Sequence, residues 1–141
     1  MPRFANADVA ATFDAYSPKL RKRLLALRAL ILDTAATTEG VGEIEEALRW
    51  GEPSYLTPQT KSGTTIRVGP VRGSNDQYAM YVNCQTSLGD TYRELYGDRL
   101  TLLGDRGFVF GMADDLPATE LAHCIALALR YHADKKGRAT D

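Results

Sequence analysis

The stretch Glu43 to Leu56, E-I-E-E-A-L-R-W-G-E-P-S-Y-L, constrains the fold more than any other part of the chain. Its first half is written in helix-forming residues, and the spacing of Ile44 and Leu48 predicts a helix with Glu43, Glu45, Glu46 and Arg49 turned outward. That helix cannot pass Gly51 and Pro53: glycine gives helical geometry no side-chain support, and proline biases the residue before it, Glu52, toward extended backbone. The chain therefore has to change from helix to strand beside Trp50, its only tryptophan. A large amphipathic ring at such a corner is expected to close the core and to present its edge to a cleft.

Ahead of the corner, Val9, Phe13 and Tyr16 recur at helical steps, with Asn6 or Asp8 able to cap the start. Ser17-Pro18 starts a second helix, serine receiving the free amides and proline occupying a position where its missing N–H costs nothing. Leu20, Leu24, Leu27, Ile31 and Ala35 give that helix one apolar stripe, and Lys19, Arg21, Lys22, Arg23 and Arg28 are expected on its solvated side. Thr37 to Gly40 stops it.

Beyond Pro53 the pattern shortens to runs separated by turn residues. Strands are expected at Ser54 to Thr57, Thr64 to Val71 and Gln77 to Val82, joined by turns at Lys61-Ser62-Gly63 and Gly73 to Asp76. Short Gly-containing loops make neighbours antiparallel, so these strands form a meander. A short helix follows from Ser87 through Tyr96, and a second hairpin pairs Leu100 to Leu103 with Phe108 to Phe110. Asp114 to Pro117 opens a last helix in which Leu121, Cys124, Ile125, Ala128, Leu129 and His132 share a stripe, and Ala133 to Asp141 is expected to fray. The expected architecture is one α+β domain over residues 1–141: an antiparallel sheet of about five strands packed by N-terminal and C-terminal helices, its core running from about Pro18 to Lys136.

Charge narrows the choice of partners. The 17 basic and 18 acidic side chains leave a formal charge of -1, which offers no long-range attraction to nucleic acid or to an acidic membrane, so neither is expected as a partner. No apolar run approaches the roughly 20 residues that cross a bilayer, and the N-terminus lacks the apolar segment of a signal peptide, so a cytoplasmic location is expected. Cys84 and Cys124 form no C-x-x-C pair and read as reduced thiols.

The elements in this order, together with Ala47-Leu48-Arg49-Trp50-Gly51-Glu52-Pro53-Ser54-Tyr55, resemble the YdhG-like domain family and its W-G-x-P-x-Y/F corner. The likeness extends through Gly107-Phe108-Val109-Phe110 and Leu116-Pro117 into the closing helix. It implies a compact α+β domain of largely unassigned function, with one branch described as a frataxin-like iron chaperone. The strand around Arg67 and the turn Gly73 to Asp76 depart from the shorter meander that the resemblance implies.

Enzyme chemistry finds little support in the residues. The phosphate-cradling patterns G-x-x-x-x-G-K-[ST] and G-x-G-x-x-G are absent, so no cofactor is expected. Cys84 lies in an accessible loop but has no cation-rich or glycine-rich neighbours in sequence to activate it. His123 and His132 stand nine positions apart, too far for a helical metal pair, and no metal site is expected from them. Glu39, Glu43, Glu45, Glu46 and Glu52 are close in sequence, which frames an iron-binding chaperone as the alternative reading. The favoured reading is a non-enzymatic domain that binds a small molecule or a protein partner, with Trp50 and Tyr55 as aromatic walls, Arg67 as the positive group and Tyr81 or Tyr92 nearby.

Overall fold

The structure is a computed structural model that describes the backbone of residues 3–140 and the side chains up to Lys136. Two helices come first, α1 (Ala7–Ala15) and α2 (Pro18–Thr37). Asn6 caps α1 by accepting from the amides of Asp8 and Val9, and Ser17 caps α2 by accepting from Leu20 with Pro18 in its first turn. Arg21 ties the two together, donating from Nε to the carbonyl of Phe13 and from Nη2 to those of Asp14 and Tyr16. A residue expected only to be wet thus closes the C-terminal end of the preceding helix, where carbonyls lack intrahelical donors.

Five strands follow in a single antiparallel meander, β1 (Glu45–Arg49), β2 (Glu52–Leu56), β3 (Ile66–Pro70), β4 (Gln77–Tyr81) and β5 (Gly107–Gly111), neighbours in space in the order they have in sequence. The α+β architecture with helices at both ends of the chain is as expected, but the membership of the sheet differs in two places. Glu45 to Arg49 is a strand and not the end of a helix: it pairs with β2 from Glu45 opposite Leu56 to Arg49 opposite Glu52. Pairing overrides the helix-forming composition because Ile44 and Leu48 reach the core equally well from extended backbone. Leu100 to Leu103 contributes only an isolated bridge, Leu102 opposite Phe108, so β5 forms its long ladder with β4.

The corner at Trp50 is consequently a two-residue hairpin turn. Trp50 has φ 57° and Gly51 φ 76°, and two positive φ values in succession suit the right-handed twist of the flanking strands. Glycine adopts that conformation freely, whereas for a bulky L residue it costs on the order of 1–2 kcal/mol.

Alternation along the strands sorts side chains to two faces. Tyr55, Ile66, Val68, Tyr78, Met80, Phe108 and Phe110 point to the face that α2 and α4 (Ala118–Leu129) cover, and they join Leu24, Leu27, Ile31, Leu121, Ile125 and Leu129 in one core. Between β4 and β5 lies α3 (Leu88–Tyr96), whose Tyr92 stacks on Phe108 and donates its hydroxyl to the carbonyl of Cys124. The helical ending is broken: α4 stops at Leu129, and α5 (Tyr131–Thr140) begins after Arg130 leaves helical geometry. The carbonyl of Ser62 accepts from the amides of both His132 and Ala133 at this joint, so the stretch expected to fray starts as a docked helix, while Asp141 lies outside the described residues.

Candidate functional site

The opposite face of the sheet is left open. Ser54, Arg67, Tyr81 and Gly107 stand in one row across β2 to β5, flanked by the row of Gly69, Ala79 and Val109. Small side chains floor this face, and the long ones lie over them. Glu52 reaches from β2 across Gly69, where any Cβ would collide with its carboxylate, and accepts from Arg67 Nη1 at 2.5 Å. The Arg67 guanidinium lies 5.2 Å from the centre of the Tyr81 ring, and the Tyr81 hydroxyl donates to the Pro70 carbonyl at 3.3 Å.

Two adjoining depressions of about 450 and 810 Å³ occupy this face and share Trp50, Arg67 and Arg106. Together they are lined by Arg49, Arg67, Arg72 and Arg106, with Glu52 as the sole carboxylate. The local charge is therefore about +3 on a molecule whose total is -1. Arg67 is spoken for by Glu52, and Arg49 has a loose partner in Glu45 at 3.8 Å. Arg72 and Arg106 have no ion-pair partner among the described residues. Burial raises the Glu52 carboxyl above its ordinary range, and the neighbouring Arg67 only partly offsets this. The Tyr81 phenol is likewise raised by burial and by Glu52, against the opposing pull of Arg67 and Arg106.

Of the residues singled out in the sequence, Trp50, Arg67 and Tyr81 meet on this face and Tyr55 does not. Trp50 is 90% exposed at the tip of its hairpin, so it is not the core-closing ring expected of a helix-to-strand corner. Tyr55 is one residue out of phase with Ser54, and alternation sends it into the core. There its hydroxyl donates to Glu46 Oε2 at 2.8 Å, and the same carboxylate takes Arg28 in two bonds, Nε at 2.6 Å and Nη2 at 3.0 Å. Arg28 also lies 4.0 Å from the centre of the Phe4 ring and donates to the Arg3 carbonyl. Its place was legible in principle, because Arg28 follows Leu27 within the stripe of Leu24, Leu27 and Ile31 and so borders the buried face.

Arg49, Arg72 and Arg106 were missed because they are far apart in sequence and belong to different turns. The one available signal is their position: each adjoins a glycine-bearing hairpin, at Trp50-Gly51, Arg72-Gly73 and Arg106-Gly107. Cys84, judged from sequence to lack cationic neighbours, in fact shares the smaller depression with Arg49, Arg67 and Arg106.

The glutamates of the iron-binding alternative are dispersed. Glu46 is on the core side with Arg28, Glu52 is on the open side with Arg67, and Glu45 faces Arg49. Among the described residues no group of three His, Cys, Asp or Glu is placed to hold a metal ion. His123 is engaged instead by the Tyr96 hydroxyl, 2.6 Å from Nδ1. No helix among the described residues is long and apolar enough to cross a membrane. No protein-family model, curated protein or solved structure matches the chain.

Proposed function

We propose that this chain is a non-enzymatic, cytoplasmic binding domain that holds an anionic partner on the open face of its sheet, beside Trp50. The observation that carries this reading is the concentration of four arginines against one glutamate beneath an exposed tryptophan. Strain supports it as well. A tryptophan at positive φ, with its ring in solvent, costs stability where Asn or Gly would not, and such outliers collect at binding sites. Trp and Arg are also the residues that most often dominate binding energy where a partner covers them. Membership of the YdhG-like family belongs to the same proposal and rests on the residues from Ala47 to Tyr55. The iron-chaperone alternative is less well supported, since its glutamates are divided between the two faces of the sheet.

Thermal unfolding with inorganic triphosphate as the probe tests the reading. Triphosphate should raise the melting temperature of the wild type, because a ligand that binds only the folded state stabilises it. Replacing the two exposed, unpaired arginines together, Arg72→Ala with Arg106→Ala, should leave the ligand-free midpoint in place and remove the response. A wild type indifferent to triphosphate, or a double variant that responds equally, rules the face out as an anion site.

A further inference from the structure

The shape of the open face says more than its charge. The lining runs along β3 and its two flanking residues, from Thr65 to Val71, six residue steps or roughly 20 Å of extended chain. The arginines are spread along this length: Arg72 extends from its far end, while Arg67 and Arg106 occupy the part common to both depressions. A compact anion would engage one of them and leave the others idle, whereas an extended polyanion engages them together. The aromatic groups discriminate further. Trp50 offers an uncovered ring, and Tyr81 lies in the floor beside it under the Arg67 guanidinium. Flat π surfaces next to a row of cations match a chain of aromatic rings linked by phosphates, since bases stack on exposed aromatic rings while arginines follow the backbone. An acidic peptide would satisfy the cations but leave the tryptophan without a planar partner. A duplex would satisfy the cations but keep its bases stacked on one another.

We infer that the open face binds single-stranded nucleic acid, with a base stacked on Trp50 and successive phosphates on Arg106 and Arg72. The inference rests on the anion-binding reading and names the class of anion. The near-neutral total charge speaks against attraction from a distance, but it does not describe this face, where the local excess is about +3.

The single tryptophan makes the experiment direct, because its fluorescence reports from the site itself. Short oligothymidylate and oligouridylate are titrated into the protein, and labelled versions are followed by anisotropy as salt is raised. Quenching of Trp50 is expected, together with a log–log salt slope of about -1.4, from about 0.7 for each of the two phosphates engaged by Arg106 and Arg72 on a single strand. Trp50→Ala should weaken binding about tenfold, the scale of one lost stacking contact. It should not move the melting temperature, since the ring is exposed. Arg72→Ala with Arg106→Ala should abolish most of the salt dependence. Thymidine monophosphate binding as tightly as the oligomer overturns the extended site, and equal binding of polyglutamate reassigns the face to acidic peptides. Equal binding of a duplex, or an unaffected Trp50→Ala, removes the stacking component and with it the inference. If triphosphate stabilises the wild type and the oligonucleotides do not bind, the anion site stands and this assignment fails; if neither ligand acts, both fail.

Discussion

A set of one arginine, one glutamate and one tyrosine in contact recurs against each face of the sheet, Arg28, Glu46 and Tyr55 on the covered side and Arg67, Glu52 and Tyr81 on the open one, and the two sets do different things. On the covered face Arg28 and Glu46 are 1% and 9% exposed, joined by two hydrogen bonds, and Tyr55 donates a third to the same carboxylate. On the open face Arg67 and Glu52 are 28% and 22% exposed and joined through one Nη1 contact, while Tyr81 offers its ring and not its hydroxyl. Residue type does not separate them; burial does. Taking two charges out of water costs several kcal/mol, recovered only when the remaining lone pairs and protons are satisfied, as they are around Glu46. A half-wet pair meets a smaller penalty, holds its geometry less firmly and remains within reach of a ligand. Burial opposes the charge on Arg28, and its bonding to Glu46 outweighs this, so its pKa lies above the ordinary arginine range. The Tyr55 phenol is driven far above its ordinary range by burial and then by Glu46. The covered set is a fastening, and the open set is a support for neighbouring groups.

The contrast can be broken from either side. Glu46→Ala, which strands a buried guanidinium without its carboxylate, should cost about 3–5 kcal/mol in a urea titration. A cost near that of an ordinary surface change would mean that the Arg28 side chain escapes to water. Tyr55→Phe should cost roughly 1.5–3 kcal/mol, the range for a hydrogen bond to a charged group, with the ring's packing retained. Arg67→Ala, which breaks the open-face pair from its basic side, should cost only about 1 kcal/mol because solvent screens the pair. Equal losses for Glu46→Ala and Arg67→Ala would erase the distinction drawn here.

The smallest effect is a matter of pH. The Glu52 carboxyl is raised in the folded state, so between the unfolded and folded pKa values the native protein holds more protons than the unfolded chain. Stability from this group is therefore present at low pH and is lost as pH rises through the folded value. Relative to Glu52→Gln, the wild type should gain a fraction of a kcal/mol on acidification into the carboxylate range. A gain of the opposite sign would show that Arg67 outweighs desolvation.

Much of the scaffold was legible because it rests on local rules. The caps at Asn6 and Ser17, the α2 stripe and the alternation of β3 and β4 all follow from spacing and turn chemistry. The first strand was not legible, since Glu-Glu-Ala-Leu-Arg favours a helix locally and only β2 alongside makes it extended. That one misreading carried Trp50 with it: a helix-to-strand corner buries the ring, whereas a hairpin tip exposes it. Arg67 and Tyr81 fall in one row because alternation and register are periodic, whereas Tyr92, the other tyrosine considered, lies in the core, and Tyr55 was misplaced by a single step of the same period. The other arginines of the site converge from three separate turns, a proximity that no local pattern encodes.

The same misleading strand has a use where it sits. β1 is at the margin of the sheet, with β2 on one side only, and such a strand offers unpaired amides and carbonyls to any passing chain. A run of valines and isoleucines would make that margin a template on which molecules join side by side. Glu45 and Arg49 instead place charge along it, and the Asn6 side chain reaches the Glu46 carbonyl at 3.4 Å, giving that acceptor a donor from the protein's own chain. Poor strand-forming residues at this position weaken the sheet slightly, and charge on the open edge opposes side-by-side pairing with a second molecule there.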